Sequence, residues 1–250
     1  MAQVQVTQQP LVYMQPPVYT QPPGIQVMTA DANTVLTHLQ GVYVEQVRRI
    51  QEVLGFEMAN EYAIFQLDPS TGQKVGHEIM HAKERSRDCC TRNCLGPCRS
   101  VTADLYIVNN ELNPMATYTK TTGITWCACC KARASLTTNG PQQMVHDVES
   151  PNACPGCTPL AFSVANHKYS ADASCCGMMP CNAYYFGVTD TRNGAPAGSL
   201  VKLPQTCGDL LYKTNKFTVT FPPNASMDDK VTMISAVLHS DFNFFEQKKN

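Results

Sequence analysis

Charge is scarce in this chain: Asp, Glu, Lys and Arg make up 16% of its 250 residues, and 19 basic side chains almost cancel 20 acidic ones. A formal net charge of −1 leaves no long-range field with which to collect nucleic acid, so no nucleic-acid partner is expected. Long hydrophobic runs are missing as well. A membrane-spanning helix needs about 20 predominantly apolar residues. The most apolar stretch, Val231 to Leu238, contains Thr232 and Ser235 and runs into His239, Ser240, Asp241 and Asn243. The opening Met1-Ala-Gln-Val-Gln-Val has neither the basic nor the apolar region of a cleaved secretion signal, so a cytoplasmic location is expected. There is no glycine-rich phosphate loop, and the histidines at 38, 77, 81, 146, 167 and 239 form no recognisable Ser/His/Asp or Cys/His motif. Covalent catalysis and nucleotide chemistry are therefore not expected.

What the chain does have is 43% hydrophobic residues, 17 prolines and 13 cysteines. In a reducing compartment those cysteines are thiols, metal ligands or acylation sites rather than disulfides. Residues 1–30 repeat Gln and Pro, as in Gln15-Pro16-Pro17-Val18-Tyr19 and Gln21-Pro22-Pro23-Gly24. Such a segment favours polyproline II and offers little to a core, so it reads as a flexible tail. Pro16, Pro17 and Tyr19 form a PPxY motif that suits a WW- or SH3-type partner, the alternative being a leader that binds nothing. Residues 31–51 space Leu36, Leu39, Val42, Val47 and Ile50 at roughly helical intervals, which predicts an amphipathic lead-in.

From residue 52 to 250 the pattern is one of short β-type runs between turn residues, the signature of an antiparallel sheet or barrel. Candidate strands are Glu61 to Leu67, Ala103 to Val108, Leu160 to Val164, Tyr184 to Val188 and Phe217 to Phe221. The C-terminal segment differs. Asp228 and Asp229 suit the positive end of a helix, and apolar residues then fall on several faces. This predicts a helix over 228–246 enclosed by protein, with Val231, Ile234, Leu238, Phe242 and Phe245 as its core.

Three stretches resemble phospholipid scramblases. They are Glu52-Val-Leu-Gly-Phe56-Glu57 with Asn60-Glu61-Tyr62 and Gly72-Gln73-Lys74-Val75; then Asp88-Cys89-Cys90-Thr91-Arg92-Asn93-Cys94-Leu95-Gly96-Pro97-Cys98-Arg99; and the terminal Lys230 to Glu246 closing on Asp-Phe-Asn-Phe-Phe-Glu. The stretch from Thr137 to Gln205 aligns poorly with that family. The resemblance implies a mainly β, tubby-like fold: a closed antiparallel barrel of about twelve strands around the hydrophobic C-terminal helix. It also implies movement of phospholipid between leaflets at the cytoplasmic face of a membrane, with attachment through acylated cysteines. The corresponding thiols here are Cys127, Cys129 and Cys130, beside Lys131. The alternatives for them are packing as small hydrophobes or binding zinc. Cys154, Cys157, Cys176 and Cys181, with Cys175 nearby, offer a second thiolate set for Zn²⁺.

Calcium is the point of departure. The family's calcium loop surrounds a Phe-x-x-x-Phe-Pro motif, here Phe217 to Pro222, but Lys213, Asn215 and Asn224 stand where acidic ligands belong. A cation and two neutral amides remove the charge that drives Ca²⁺ binding, so calcium control and a resident cofactor are not expected. A competing reading keeps the fold but gives up lipid chemistry, leaving a scaffold or structural component that binds other protein subunits.

Overall fold

The computed structural model describes residues 32–47, 59–85, 99–108, 110–121, 132–139, 143–150, 160–173, 182–212 and 214–245. Twelve antiparallel strands close on themselves into a barrel, each paired with its sequence neighbour and the last with the first. They are β1 (Gly41–Gln46), β2 (Glu61–Leu67), β3 (Lys74–Glu84), β4 (Val101–Ile107), β5 (Ala116–Lys120) and β6 (Ala132–Thr138). They continue with β7 (Val145–Ser150), β8 (Leu160–Val164), β9 (Tyr169–Ala173), β10 (Tyr184–Asp190), β11 (Pro196–Lys202) and β12 (Lys216–Thr220). Closure removes every exposed strand edge, the usual template for unwanted pairing. Among the described residues three helices accompany the strands: α1 (Ala32–Thr37), α2 (Cys207–Tyr212) and α3 (Met227–Ser240), the last continuing into a π-helical turn over Asp241–Phe245.

α3 runs through the barrel. Val231, Ile234, Leu238 and Phe242 are fully buried and Phe245 nearly so, among strand residues such as Val42, Ile64, Leu105, Leu136, Phe162, Phe186 and Val219. Its hydroxyl residues Thr232, Ser235 and Ser240 are buried too, and they make their hydrogen bonds within the helix. Thr232 Oγ1 donates to the Asp228 carbonyl at 2.6 Å, Ser235 Oγ to Thr232 at 2.8 Å and Ser240 Oγ to Ala236 at 2.7 Å. Back-bonding of this kind lets a serine or threonine enter an apolar interior without leaving an orphaned hydroxyl. His239 Nδ1 lies 3.2 Å from the Tyr118 hydroxyl.

The start of α3 is held by a capping box. Ser226 Oγ accepts from the Asp229 amide and the Asp229 carboxylate accepts from the Ser226 amide, each at 3.1 Å. Lys168 Nζ donates to the same carboxylate at 2.5 Å. Burial alone would raise the pKa of Asp229, but the bonds from Lys168 and Ser226 hold it below the ordinary aspartate value. One residue further on, Lys230 Nζ donates to the carbonyls of Leu36, Thr37 and Leu39 at 2.8 to 3.0 Å, capping the C-terminal end of α1 and tying it to α3.

Two expectations need correction. Residues 32–47, the described part of the 31–51 stretch, are not a continuous helical lead-in: after the six residues of α1, Gly41–Gln46 is the strand that closes the barrel between β2 and β12. The barrel therefore begins at 41 rather than 52. Val42 and Val44 point inward, while Tyr43 between them is covered from outside. The strand is thus apolar on both faces and lacks the alternation that marks a half-exposed one. The terminal helix also departs from a uniform span over 228–246, because its α-helical part ends at Ser240 and widens into the π turn. The 137–205 stretch supplies five complete strands, β7 to β11, so it is barrel wall.

Closure around β12 is tight. A Cβ on Gly41 would sit 2.4 Å from the Val219 carbonyl oxygen, and one on Gly198, whose φ is +117°, would sit 2.2 Å from the Thr220 oxygen. Glycine at both positions lets β1 and β11 approach their shared neighbour.

Candidate functional site

The alternation of strand direction gives the barrel two unlike ends. At one end lie α1, the start of α3 and the short β2–β3, β8–β9 and β10–β11 turns. At the other lie the end of α3 and the connections β1–β2, β3–β4, β5–β6, β7–β8, β9–β10 and β11–β12. The register fixes this assignment: Gln46 pairs with Tyr62, Glu84 with Ala103, Val101 with Lys120, Ala132 with Ser150, Leu160 with Ala173, and Tyr184 with Lys202.

Inside this second end is a buried polar layer. Asp241, on the π turn, accepts a 2.5 Å hydrogen bond from the Tyr62 hydroxyl and a 2.7 Å bond from Asn215 Nδ2. Asn215 is held in turn by Gln205, whose Nε2 donates to Asn215 Oδ1 at 3.0 Å, and its amide donates to Gln46 Oε1 at 3.1 Å. Gln46 Nε2 donates to Asn60 Oδ1 at 2.7 Å. The amide and side chain of Asn60 donate to one oxygen of Glu84, whose other oxygen lies 3.2 Å from Arg99 Nη1. The Arg99 guanidinium lies over the Phe242 ring, its carbon 5.4 Å from the centroid, and the Lys202 ammonium is 5.4 Å from the centre of Phe245. The network ties β1, β2, β3 and the β11–β12 connection to the end of α3.

Protonation in this layer follows from burial. His239 is driven down to about 3, first by loss of water and then by the Lys120 charge, so its ring is neutral in the fold. Burial likewise pushes the Tyr118 phenol well above its ordinary value. Asp241 accepts at both oxygens, and Glu84 accepts at one and faces Arg99 with the other, so what the layer can do is fix the terminal helix in depth and rotation. Sequence reasoning did not identify Glu84, Arg99, Tyr62 or Asp241 as partners. The available signal was a carboxylate inside a helix read as buried, since such a group requires donors from the surrounding wall.

Asn215 and Asn224 do not come together. Asn215 is buried just before β12 with its amide committed to Asp241, and Asn224 is exposed in the turn after the other end of that strand. Lys213 lies outside the described residues, as do Pro16, Pro17, Tyr19, Cys127, Cys129, Cys130, Cys154, Cys157, Cys176 and Cys181. Among the described residues no group of three or more His, Cys, Asp or Glu side chains could hold a metal ion.

The sequence positions of the cysteines nevertheless follow the topology. Cys89, Cys90, Cys94 and Cys98 belong to the β3–β4 connection and Cys127, Cys129 and Cys130 to β5–β6. Cys154 and Cys157 belong to β7–β8, Cys175, Cys176 and Cys181 to β9–β10, and Cys207 to β11–β12. All 13 fall in connections whose flanking strands end at the polar-layer end of the barrel. Cys207, on α2, is exposed.

A family model described as Scramblase matches residues 20–247. Among curated proteins the chain is 26% identical to phospholipid scramblase 1 of Homo sapiens over 222 residues, which is 84% of this chain and 64% of that protein. It is 26% identical to phospholipid scramblase 2 of Bos taurus over 224 residues, 86% of this chain and 71% of that one. It is also 26% identical to phospholipid scramblase 1 of Rattus norvegicus over 225 residues, 86% and 62% of the two chains. The chain thus spans less than two thirds of the human and rat relatives. No solved structure matches it.

Proposed function

The chain belongs to the scramblase family, and from that premise we propose that it is a peripheral membrane protein that promotes phospholipid movement between leaflets without calcium control. Attachment at the cytoplasmic face runs through acylated Cys127, Cys129 and Cys130. The observation that carries this reading is the one-ended distribution of the cysteines. Two or more acyl chains anchor a protein far more firmly than one, provided they reach the bilayer together, and connections whose flanking strands all end on the same side of the barrel favour that condition. Among the described residues no helix is long and apolar enough to cross a membrane. The α3 helix fills the barrel interior, so lipid would move along the outside of the barrel, where its seat disturbs the leaflet, and not through a lumen.

Independence from calcium rests on the placement of Asn215 and Asn224 at opposite ends of β12 and on the engagement of Asn215 with Asp241. A second reading, a scaffold with no lipid activity, is favoured by the same filled interior, which offers no passage. Reconstitution into vesicles carrying a fluorescent phospholipid separates the two. The proposal expects transbilayer movement above that of empty vesicles, equal with calcium and with a chelator. Movement no faster than in empty vesicles would leave the scaffold. Conversion of Cys127, Cys129 and Cys130 to serine should abolish hydroxylamine-sensitive acyl labelling and release the protein from the membrane fraction. Wild-type protein without such labelling would remove the anchor.

A further inference from the structure

The β11–β12 connection carries more than a turn requires. Asp209 on α2 is fully buried, and its carboxylate accepts from the Thr206 amide and hydroxyl at 3.0 and 2.7 Å and from Lys216 Nζ at 2.9 Å. These bonds clamp α2 against the outer face of β12. Beside it runs a row of outward-pointing residues: Tyr185, Val201, Thr218 and Tyr43 stand opposite one another across β10, β11, β12 and β1. Val201, Thr218 and Tyr43 are buried although they point away from the core. Burial and the nearby Glu45 and Asp209 charges push the Tyr43 phenol up to about 12. The helix then turns Leu210 and Leu211 to solvent, 37% and 60% exposed, and the row ends in Tyr185, 69% exposed. The exposed described residues of this connection, Pro204, Thr206, Cys207, Leu210 and Leu211, include no charged side chain.

We propose that α2 and the adjoining face of β10 are the surface this barrel lays on a lipid bilayer, with Leu210 and Leu211 entering the acyl region and Tyr185 at the headgroup level. The inference rests on the membrane reading above and specifies the face that makes contact. Three observations select lipid as the occupant. The single acidic group of α2 is withdrawn into the protein, so seating the helix desolvates no exposed carboxylate of its own. The surface lies at the end of the barrel where the strands flanking every cysteine-bearing connection meet. A tyrosine beside two leucines matches the amphipathic composition of an interfacial contact. The opposite end also exposes apolar residues, with Leu112 92% exposed and Met144 and Val145 half-exposed. There, however, Glu111 and Asp147 are exposed alongside, and a bilayer would have to strip water from both carboxylates.

The test is flotation of the full chain, purified from eukaryotic cells, on vesicles of phosphatidylcholine and phosphatidylserine. Wild type is compared with the double variant Leu210→Glu, Leu211→Glu and with Leu112→Glu at the far end. The expected result is a vesicle-bound ratio about tenfold lower, or less, for the double variant, with Leu112→Glu unchanged and all three proteins melting at the same temperature. Equal flotation of wild type and double variant would overturn the assigned face while leaving membrane association standing. Loss with Leu112→Glu alone would move the contact to the opposite end. A wild type that does not float would remove both the face and the membrane reading.

Discussion

Replacing Leu238 with alanine should cost the folded protein about 3–5 kcal/mol. The side chain is fully buried in the last turn of α3, inside a wall of twelve hydrogen-bonded strands. Losing three carbons forfeits about 2 kcal/mol of transfer energy at roughly 0.8 kcal/mol per buried methylene. The remainder depends on how far the site collapses, at about 24 cal/mol per Å³ of residual cavity. A closed ladder cannot fold inward on one side without breaking strand pairs, so most of the vacated volume should persist, adding about 1–2 kcal/mol. Guanidinium unfolding followed by circular dichroism reads this as a lower midpoint at unchanged slope. Leu211→Ala, on the exposed face of α2, should shift stability by less than about 0.5 kcal/mol in the same assay. A Leu238→Ala loss below about 1 kcal/mol would refute the reasoning, because it would mean the helix is not enclosed.

Acid should expose the neutral His239. Its folded value, about 3, lies below the ordinary 6.5, so between those limits the unfolded chain binds a proton that the folded chain refuses. Stability from this group is full above pH 6.5 and falls on acidification by up to about 1.4 kcal/mol per pH unit. His239→Gln should flatten that slope between pH 6.5 and 4.5, and an unchanged slope would contradict the burial argument. Asn215→Leu removes one donor from the buried Asp241 carboxylate and should cost about 1–3 kcal/mol. In the same melts, millimolar calcium should leave the wild-type midpoint unmoved, and a rise would restore a calcium site.

How much of this was legible depended on whether a residue had one environment or two. Glu61–Leu67 and Leu160–Val164 are strands with the bounds expected from sequence, because turn residues punctuate them. β1 was hidden because Tyr43 is buried on the outside of a strand whose inside already faces the core, and Leu36 and Leu39 just before it suggested a helical period. The enclosed helix was legible in Val231, Ile234, Leu238, Phe242 and Phe245 along one stripe together with Met233, Ala236 and Val237 on its other faces. The polar layer was not. Arg99, Lys120 and Lys202 read as solvent-facing charges, and only the register shows that Lys120 and Lys202 end strands on their inward side. Nor could spacing show that the connections carrying 13 cysteines between positions 89 and 207 all join strands at one end of the barrel. That follows from every strand running antiparallel to its neighbours.

The most direct measurement is labelling of the membrane-bound protein with a carbene-generating probe that resides among the acyl chains, followed by peptide mapping. With the terminal helix enclosed by its own strands, residues 227–245 should carry no label above that of protein labelled in the absence of vesicles. Strong labelling across that segment would place the helix in lipid, and the enclosed-helix architecture, with the functional reading built on it, would be wrong.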